Sequence, residues 1–359
     1  MAYTDIDKPS DYFDTKLYTG NGTAIGSGGQ TISGLDFQPN WSWGKTRDDA
    51  QGHRLVDSVT GTSKQLHSNN TNAQTDDTEG LTSFTSSGFT VGSDVGWNKS
   101  GKSIVAWNWK AGTSFTNDAS STGIGSIDSA GSFNNDSGFS IVSYTGNNTS
   151  GATLKHGLNT APAMVIVKNR NRTDNRDWVV YHQKLTSASY YIYLNSTDAM
   201  AGAYANFWNN TAPNSSVITL GSGDTSTNGN GDTYIAYCFA EKKGYSKFGS
   251  YTGNGNANGT FVYTGFKPAF VMVKNSTASG TSWEIYDNKR DGFNNQNRRL
   301  FPNKSDAEPS AQDRLAILSN GFKILTSASH LGSSGATYIY MAFAENPFVT
   351  STGVPATAR

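Results

Sequence analysis

One cysteine, Cys238, stands in a chain of 359 residues. That count excludes a disulfide framework and a thiolate metal site. Within the apolar run TYIAYCFAE the thiol reads as a small buried hydrophobe. Charge is scarce and balanced, with 28 Lys and Arg against 28 Asp and Glu. A nucleic-acid partner needs a basic face, and the densest basic stretch, Lys289-Arg290 with Arg298-Arg299, reads as solvated surface, so no nucleic acid is expected. No apolar run nears the roughly 18 residues of a membrane helix, so no membrane insertion is expected. The opening MAYTDIDKPSDYF has neither the basic nor the apolar region of a secretory leader. The expectation is a soluble protein made in a cytosol. Helical periodicity is nearly absent: TNAQTDDTEGL and DAEPSAQDRLAI allow a turn or two, and no heptads occur.

Hydrophobic residues are few, at 35%. Disorder would pair that figure with high net charge and few aromatics. Here the net charge is zero and aromatics reach 12%. Ser, Thr, Asn and Gly fill the remainder, a mixture suited to short strands, many turns and a polar, weakly charged surface.

The sequence is a triplication. YTGN occurs at Tyr18–Asn21, Tyr144–Asn147 and Tyr251–Asn254, spacings of 126 and 107 residues. These are lengths of a small domain, not of a solenoid unit. After each copy a Gly-led turn ends in proline: GLDFQP, GLNTAP and GFKP. Each proline opens an apolar run (NWSWGK, AMVIVK, AFVMVK), and a lysine falls six residues beyond it, at Lys45, Lys168 and Lys274. Proline is tolerated at the first residue of a strand, and the lysine reads as the strand's exit into solvent. Each copy closes alike, in SIVAWNWKA, TYIAYCFAE or TYIYMAFAE, beginning 85, 89 and 86 residues after its own tyrosine. These apolar closing segments read as central core strands. Upstream lie SSGFTVGSD, NSSVITLGS and SNGFKILTS, each then a polar turn, which together read as hairpins. Asn-Gly and Gly-Asn pairs suit positive-φ turn positions, so YTGN reads as a fold signature.

The expected architecture is all-β: three tandem homologous antiparallel β-sandwich domains of jelly-roll or lectin-like type. Their bounds are 1–112 with a short N-terminal anchor, 138–243 and 244–359. The Gly-, Ser- and Asn-rich stretch 113–137 reads as a linker, flexible or draped along a neighbour. Domains two and three are expected to dock closely and domain one to move more freely.

Triplication supplies a control: what recurs in all copies serves the fold, and a site should stand out in one. The five histidines occupy non-equivalent positions, and no HExxH, GxSxG, Walker A or GxGxxG motif occurs. A pair of carboxylates would suffice for a glycosidase. Asp94, Asp177, Glu284, Asp287 and Glu308 are the candidates, with nothing in the sequence to pair them, and no enzyme activity is expected. GDTSTNGNGD places Asp224, Asn228, Asn230 and Asp232 at alternating positions, loosely like a calcium loop without its terminal glutamate. An Asx-rich turn is the plainer reading, and no metal or cofactor is expected. Trp41, Trp43, Trp107 and Trp109 lie on repeated strands, at least half of them core. Trp97 and Trp208 lie in polar single-copy stretches, where an exposed ring suits stacking on a sugar. They are the candidate glycan-binding residues.

The combination YTGN…GLxFxP…HRLVDSVTG…LTSFTSSGFTVGSD…SGKSIVAWNWKAG, with AYCFAEKKGYSKFGSYTG and AFAENPF, resembles a repeat family of structural proteins encoded by marine tailed bacteriophages. The resemblance covers essentially the whole chain. It implies a virion component assembled in the host cytoplasm, of tail-fibre or tail-protein type, with lectin-like sandwiches and no catalytic residues to carry over. The implied partners are other virion proteins of the tail or capsid and host-surface polysaccharide, with a homo-oligomer, a trimer first, as the assembly. A head decoration or head-fibre protein of purely structural role is the alternative, and a polysaccharide depolymerase the third.

Overall fold

The structure, a computed structural model, describes residues 4–174, 176–309 and 314–357. It consists of several antiparallel β-sheets, none of them closed. Each repeat builds a sheet with the same inner order of four strands. In the first, Phe13–Thr19 pairs with Ser103–Trp109, which pairs with Trp41–Thr46, which pairs with Arg54–Asp57. The third repeats this with Ser246–Thr252, Thr337–Pro347, Phe266–Asn275 and Glu284–Asp287. The second uses Phe139–Thr145, Thr233–Phe239, Met164–Asn169 and Val179–His182, inside a sheet of seven strands. The closing segment is central in all three, as its apolar residues on both parities require.

That double parity creates two cores. Along the closing strands Val105, Trp107 and Trp109, then Ile235, Tyr237 and Phe239, then Ile339, Met341 and Phe343 all enter one cluster shared by the three repeats. The intervening residues, Ala106, then Tyr234, Ala236 and Cys238, then Tyr338, Tyr340 and Ala342, face three separate smaller clusters. A short second sheet covers each of these outward faces: Gln30–Ile32 with Gly88–Val91 and Leu81–Thr85, Ala152–Lys155 with Val217–Leu220, and Phe261–Tyr263 with Gly321–Ile324 and Leu315–Leu318. The SGF segment and the closing strand therefore lie in different layers. The expected hairpin is a crossover, because the polar turn carries the chain from the cover sheet into the large sheet.

The seams between repeats run cyclically. Backbone bonds Gln74 N to Arg170 O (2.8 Å), Met200 N to Ser276 O (2.9 Å) and Glu308 N to Arg47 O (2.6 Å) join the first repeat to the second, the second to the third and the third to the first. Side chains follow the same cycle. Trp178 Nε1 donates to His67 O and Trp283 Nε1 to Tyr193 O, both at 2.9 Å. At the corresponding place in the first repeat stands His53, facing the Phe301 carbonyl. Rings cross the seams as well: Trp41 stacks on Tyr237 at 4.3 Å and Phe13 on Phe343 at 5.2 Å. The three seams thus close a cycle of repeats within one chain. A freely moving first repeat does not fit this packing, because Phe13, Trp41, Trp43, Trp107 and Trp109 all lie in the shared cluster.

Lys45, Lys168 and Lys274 are fully buried, against the expectation of strand exits. Lys168 Nζ donates to Asn169 O and Arg176 O and, across the seam, to Thr71 O at 3.0 Å. Lys274 Nζ donates to Thr281 O at 2.7 Å and, across the seam, to Thr197 O at 3.2 Å. Lys45 Nζ donates to Asp49 O at 3.1 Å and feels Glu308 and Asp306 of the third repeat. An ammonium carries three donors, so each lysine gathers main-chain carbonyls at a seam. Burial lowers all three to about 8.

YTGN is a clamp. Tyr18, Tyr144 and Tyr251 hydroxyls donate to Trp97 O, Thr227 O and Leu331 O at 2.8, 2.7 and 2.9 Å. The next-but-one glycine donates to Lys102 O, Asp232 O or Ala336 O, each at 2.9 Å. A Cβ on Gly20, Gly146 or Gly253 would strike the carbonyls of Lys99, Gly229 or Ser333, so only glycine fits there. The residue after each Asn, Gly22, Asn148 or Gly255, has positive φ, as the turn reading requires.

The stretch 113–137, read as a linker, is ordered structure. Thr113–Asn117 and Ser129–Asn134 pair with each other, and the latter pairs with Phe139–Thr145, extending the second repeat's sheet. The turn expected over 306–317 falls partly on residues 310–313, outside those described; its described end forms the strand Leu315–Leu318. The stretch 71–81 holds the two-residue strand Thr75–Asp76 in place of a helical turn. Of the anchor placed at the N-terminus, residues 1–3 lie outside those described.

Candidate functional site

The sequence-derived carboxylates are held in internal networks. Asp94 caps the single-turn helix Val95–Asn98, accepting from Gly96 N at 2.9 Å, and pairs with Arg54 at 3.2 Å. Asp177 accepts from Asn195 Nδ2 at 2.7 Å. Glu284 is buried between Arg299 (2.7 Å) and the Tyr286 hydroxyl (2.5 Å), and burial raises its pKa. Asp287 and Glu308 are the two that the fold brings together. Both bind Arg290, at 2.6 and 2.5 Å, and Glu308 also binds Arg47 at 2.8 Å. Burial alone would raise the pKa of Asp287, but the Arg290 guanidinium beside it holds it below the usual value. Trp107 Nε1 completes the group, donating to Asp287 Oδ2 at 3.0 Å. This is a neutralised knot in the seam between first and third repeats.

The calcium-like loop is equally self-contained. Asp224 accepts from Tyr204 Oη (2.9 Å) and Ser226 N (2.7 Å). Asn228 donates to Gly221 O and accepts from Asn147 N, while Asp232 accepts from Asn169 Nδ2 at 3.2 Å. Asn228 is fully buried. No group of three or more His, Cys, Asp or Glu suited to a metal occurs among the described residues. Burial holds His67, His156, His182 and His330 down to about 4.

The two tryptophans proposed as sugar platforms are interior. Trp97 has no exposure: its ring lies against Gly44, where a Cβ would collide with it, and its Nε1 donates to Gln65 Oε1 at 2.9 Å. Trp208 is 1% exposed and meets Tyr181 edge-on at 6.0 Å. Neither offers a face for stacking, because each fills the space between a large sheet and its cover. Among the repeated tryptophans, all four are core.

What the triplication control does isolate is the single-copy strand pair of 113–134. Where the loop joining this pair meets the end of the opening strand of the second repeat lies an open groove of about 660 Å³. Thr116, Asp118, Asp128, Ser143, Thr145 and Asn147 are among its walls. Hydroxyls and an amide alternate there with two carboxylates. Asp118 lies below the ordinary carboxylate range because the Ser120 and Ser121 hydroxyls and the Ser121 amide bind it. These polar walls can hydrogen-bond a polar ligand. The signal in the sequence was the alternation in TSFTN and SAGSFN, with Phe115 placed opposite Gly131; the high Gly and Ser content masked it.

A family described as Domain of unknown function (DUF7483) matches residues 8–347. Neither curated proteins nor solved structures give a match.

Proposed function

The chain belongs to the DUF7483 family, and we propose that it is a non-catalytic structural and binding protein of a bacteriophage virion, a tail fibre or appendage that meets host-surface glycans. In this reading each repeat is a small lectin-like sandwich, and the three are locked into one rigid body. One observation carries it: only in the second repeat does an added strand pair make a groove, bringing Thr116, Asp118 and Asp128 beside Thr145 and Asn147 of YTGN. Such a wall suits a polyhydroxylated ligand, which offers many donors and acceptors and little apolar surface. A single weak groove becomes effective when many copies on one particle engage together. A glycan array with the intact protein tests this. Ala130→Trp fills the groove without removing a hydrogen bond, and binding to host polysaccharide should be lost with it. Signal unchanged in Ala130→Trp, or no binding by the parent chain, overturns the glycan reading.

A second reading, a head decoration protein, draws on the cyclic seams. Three similar faces around one core suit a seat on a threefold position of a shell. Immunogold on purified particles separates the two: label at the tail supports the first and label spread over the head the second.

A further inference from the structure

The outer cover sheets differ most at one edge. In the third repeat Phe261–Tyr263 is the edge strand of its sheet, paired only with Gly321–Ile324. Thr264 N donates to Asn320 O and Ile324 N to Thr260 O. By antiparallel alternation Val262 therefore exchanges bonds with Phe322, and the N–H and C=O of Phe261 and Tyr263 point off the sheet. Among the described residues none pairs with those four groups. Phe261 and Tyr263 are 44% and 58% exposed. Natural edges are protected by charge, proline, bulges or a covering segment. This one carries two aromatics instead. The corresponding residues are Thr31 and Ser33 in the first repeat and Thr153 and Lys155 in the second, by the pairing of Ile32, Leu154 and Val262 with Phe89, Ile218 and Phe322.

The second repeat shows how such an edge is filled. Residues 126–129 run beside Ala152–Lys155, with a parallel bridge between Ile127 and Leu154. Ser126 N and Ile127 N donate to Thr153 O at 2.8 and 3.1 Å, Thr153 N donates to Ser126 Oγ at 2.8 Å, and Ser129 Oγ donates to Lys155 O at 3.2 Å. Ile127 is buried in the outer cluster. The third repeat has the same edge with no such strap. A parallel strand leaving it past Tyr263 enters a cavity of about 480 Å³ walled by Lys242, Lys243, Lys247, Glu241 and Asp5. Lys247 is paired with Glu241 at 3.0 Å, and the lysines outnumber the carboxylates.

We infer that the Phe261–Tyr263 edge is a docking site for an extended segment of a partner protein, added as a parallel strand. The segment carries the order hydroxyl, aliphatic, acidic found in Ser126-Ile127-Asp128. Its main chain satisfies Phe261 and Tyr263, its aliphatic residue takes the place that Ile127 holds over Leu154, and its acidic end points to the lysines. Strand addition gains affinity from main-chain bonds and specificity from alternate side chains.

The test is amide exchange by NMR on the full chain with a peptide of sequence GSIDSAGS, the chain's own residues 125–132. Exchange at Phe261 and Tyr263 should slow about tenfold when nine-tenths of the protein is occupied. Tyr263→Pro removes an outward N–H and no ladder bond, and should abolish the protection. The pair Phe261→Thr with Tyr263→Ser restores the first repeat's residues and should weaken binding several-fold with the fold intact. No slowing at a few millimolar peptide, equal slowing at Thr31 and Ser33, or binding unaffected by Tyr263→Pro overturns the proposal. Protection that grows with protein concentration in the absence of peptide overturns it in favour of a second copy of the chain.

Discussion

The inward and outward faces of the three large sheets have diverged to different degrees. Inward, the same kinds of contact occur three times, from buried lysine to carbonyl-seeking ring. Outward, the first residue of the fourth strand is Arg54 in one repeat, Val179 in the next and Glu284 in the last. Arg54 pairs with Asp94 and reaches His67 at 3.1 Å; Val179 lies among Tyr181, Phe207 and Trp208; Glu284 takes Arg299, which reaches His330 at 2.9 Å. Charge has been inverted and deleted at one place in a common fold. Each outward cluster closes within its own repeat, so its chemistry can change alone. An inward residue answers to a second repeat, and its replacement must be matched elsewhere.

The largest test of that contrast is Trp41→Ala. Its ring stacks across a seam, and the loss should be about 3–5 kcal/mol, read by urea unfolding as one shifted transition. A separate early transition of the first repeat alone would break the comparison.

Acid should come next. His182 Nε2 donates to Tyr340 O across the second seam at 3.1 Å, and burial holds it near 4. The unfolded chain binds protons more readily between its ordinary value and 4, so stability is full above about pH 6.5 and falls as pH drops toward 4, by up to about 3 kcal/mol for this one side chain. His67 and His156 add to the same slope. A midpoint by calorimetry that stays flat from neutral pH to pH 4 would sink this.

Lys168→Met removes the donor shared by Thr71, Asn169 and Arg176 carbonyls, at about 1–3 kcal/mol. The parent protein should also gain stability as pH rises from about 8 toward the unfolded lysine value, because the folded state gives up its protons first. A variant with methionine at all three lysines should lose that rise; a rise retained in it would mean the lysines are not the source.

The smallest effect belongs to the outer face. Arg54→Val with Asp94→Asn copies the second repeat's apolar choice while keeping a helix cap, and should change stability by less than about 1 kcal/mol. A loss as large as that of Trp41→Ala would erase the distinction between the faces.

How much was legible follows the same line. The triplication, the central closing strand and the turn after YTGN were readable because a period of two and a fixed spacing are local signals. Buried lysines were not, since Lys168 is made tolerable by a carbonyl 97 residues away. Trp97 read as exposed because its seat is an absence, the missing side chain of Gly44. The groove was hidden by composition: serine and glycine that look like slack form an edge ladder once Phe115 covers Gly131. Carboxylates were found, but a neutralising arginine can come from another repeat, as Arg47 does for Glu308.

The cyclic seam also sets an order of completion during synthesis. Lys45, Arg47, His53 and Trp107 of the first repeat meet partners at Asp287, Phe301 and Glu308. Until that last stretch leaves the ribosome, an aromatic face of the first repeat stands open to water. The final contact is therefore made only once residues 287–308 are in place, and a chain cut short of them would leave that face of the first repeat bare.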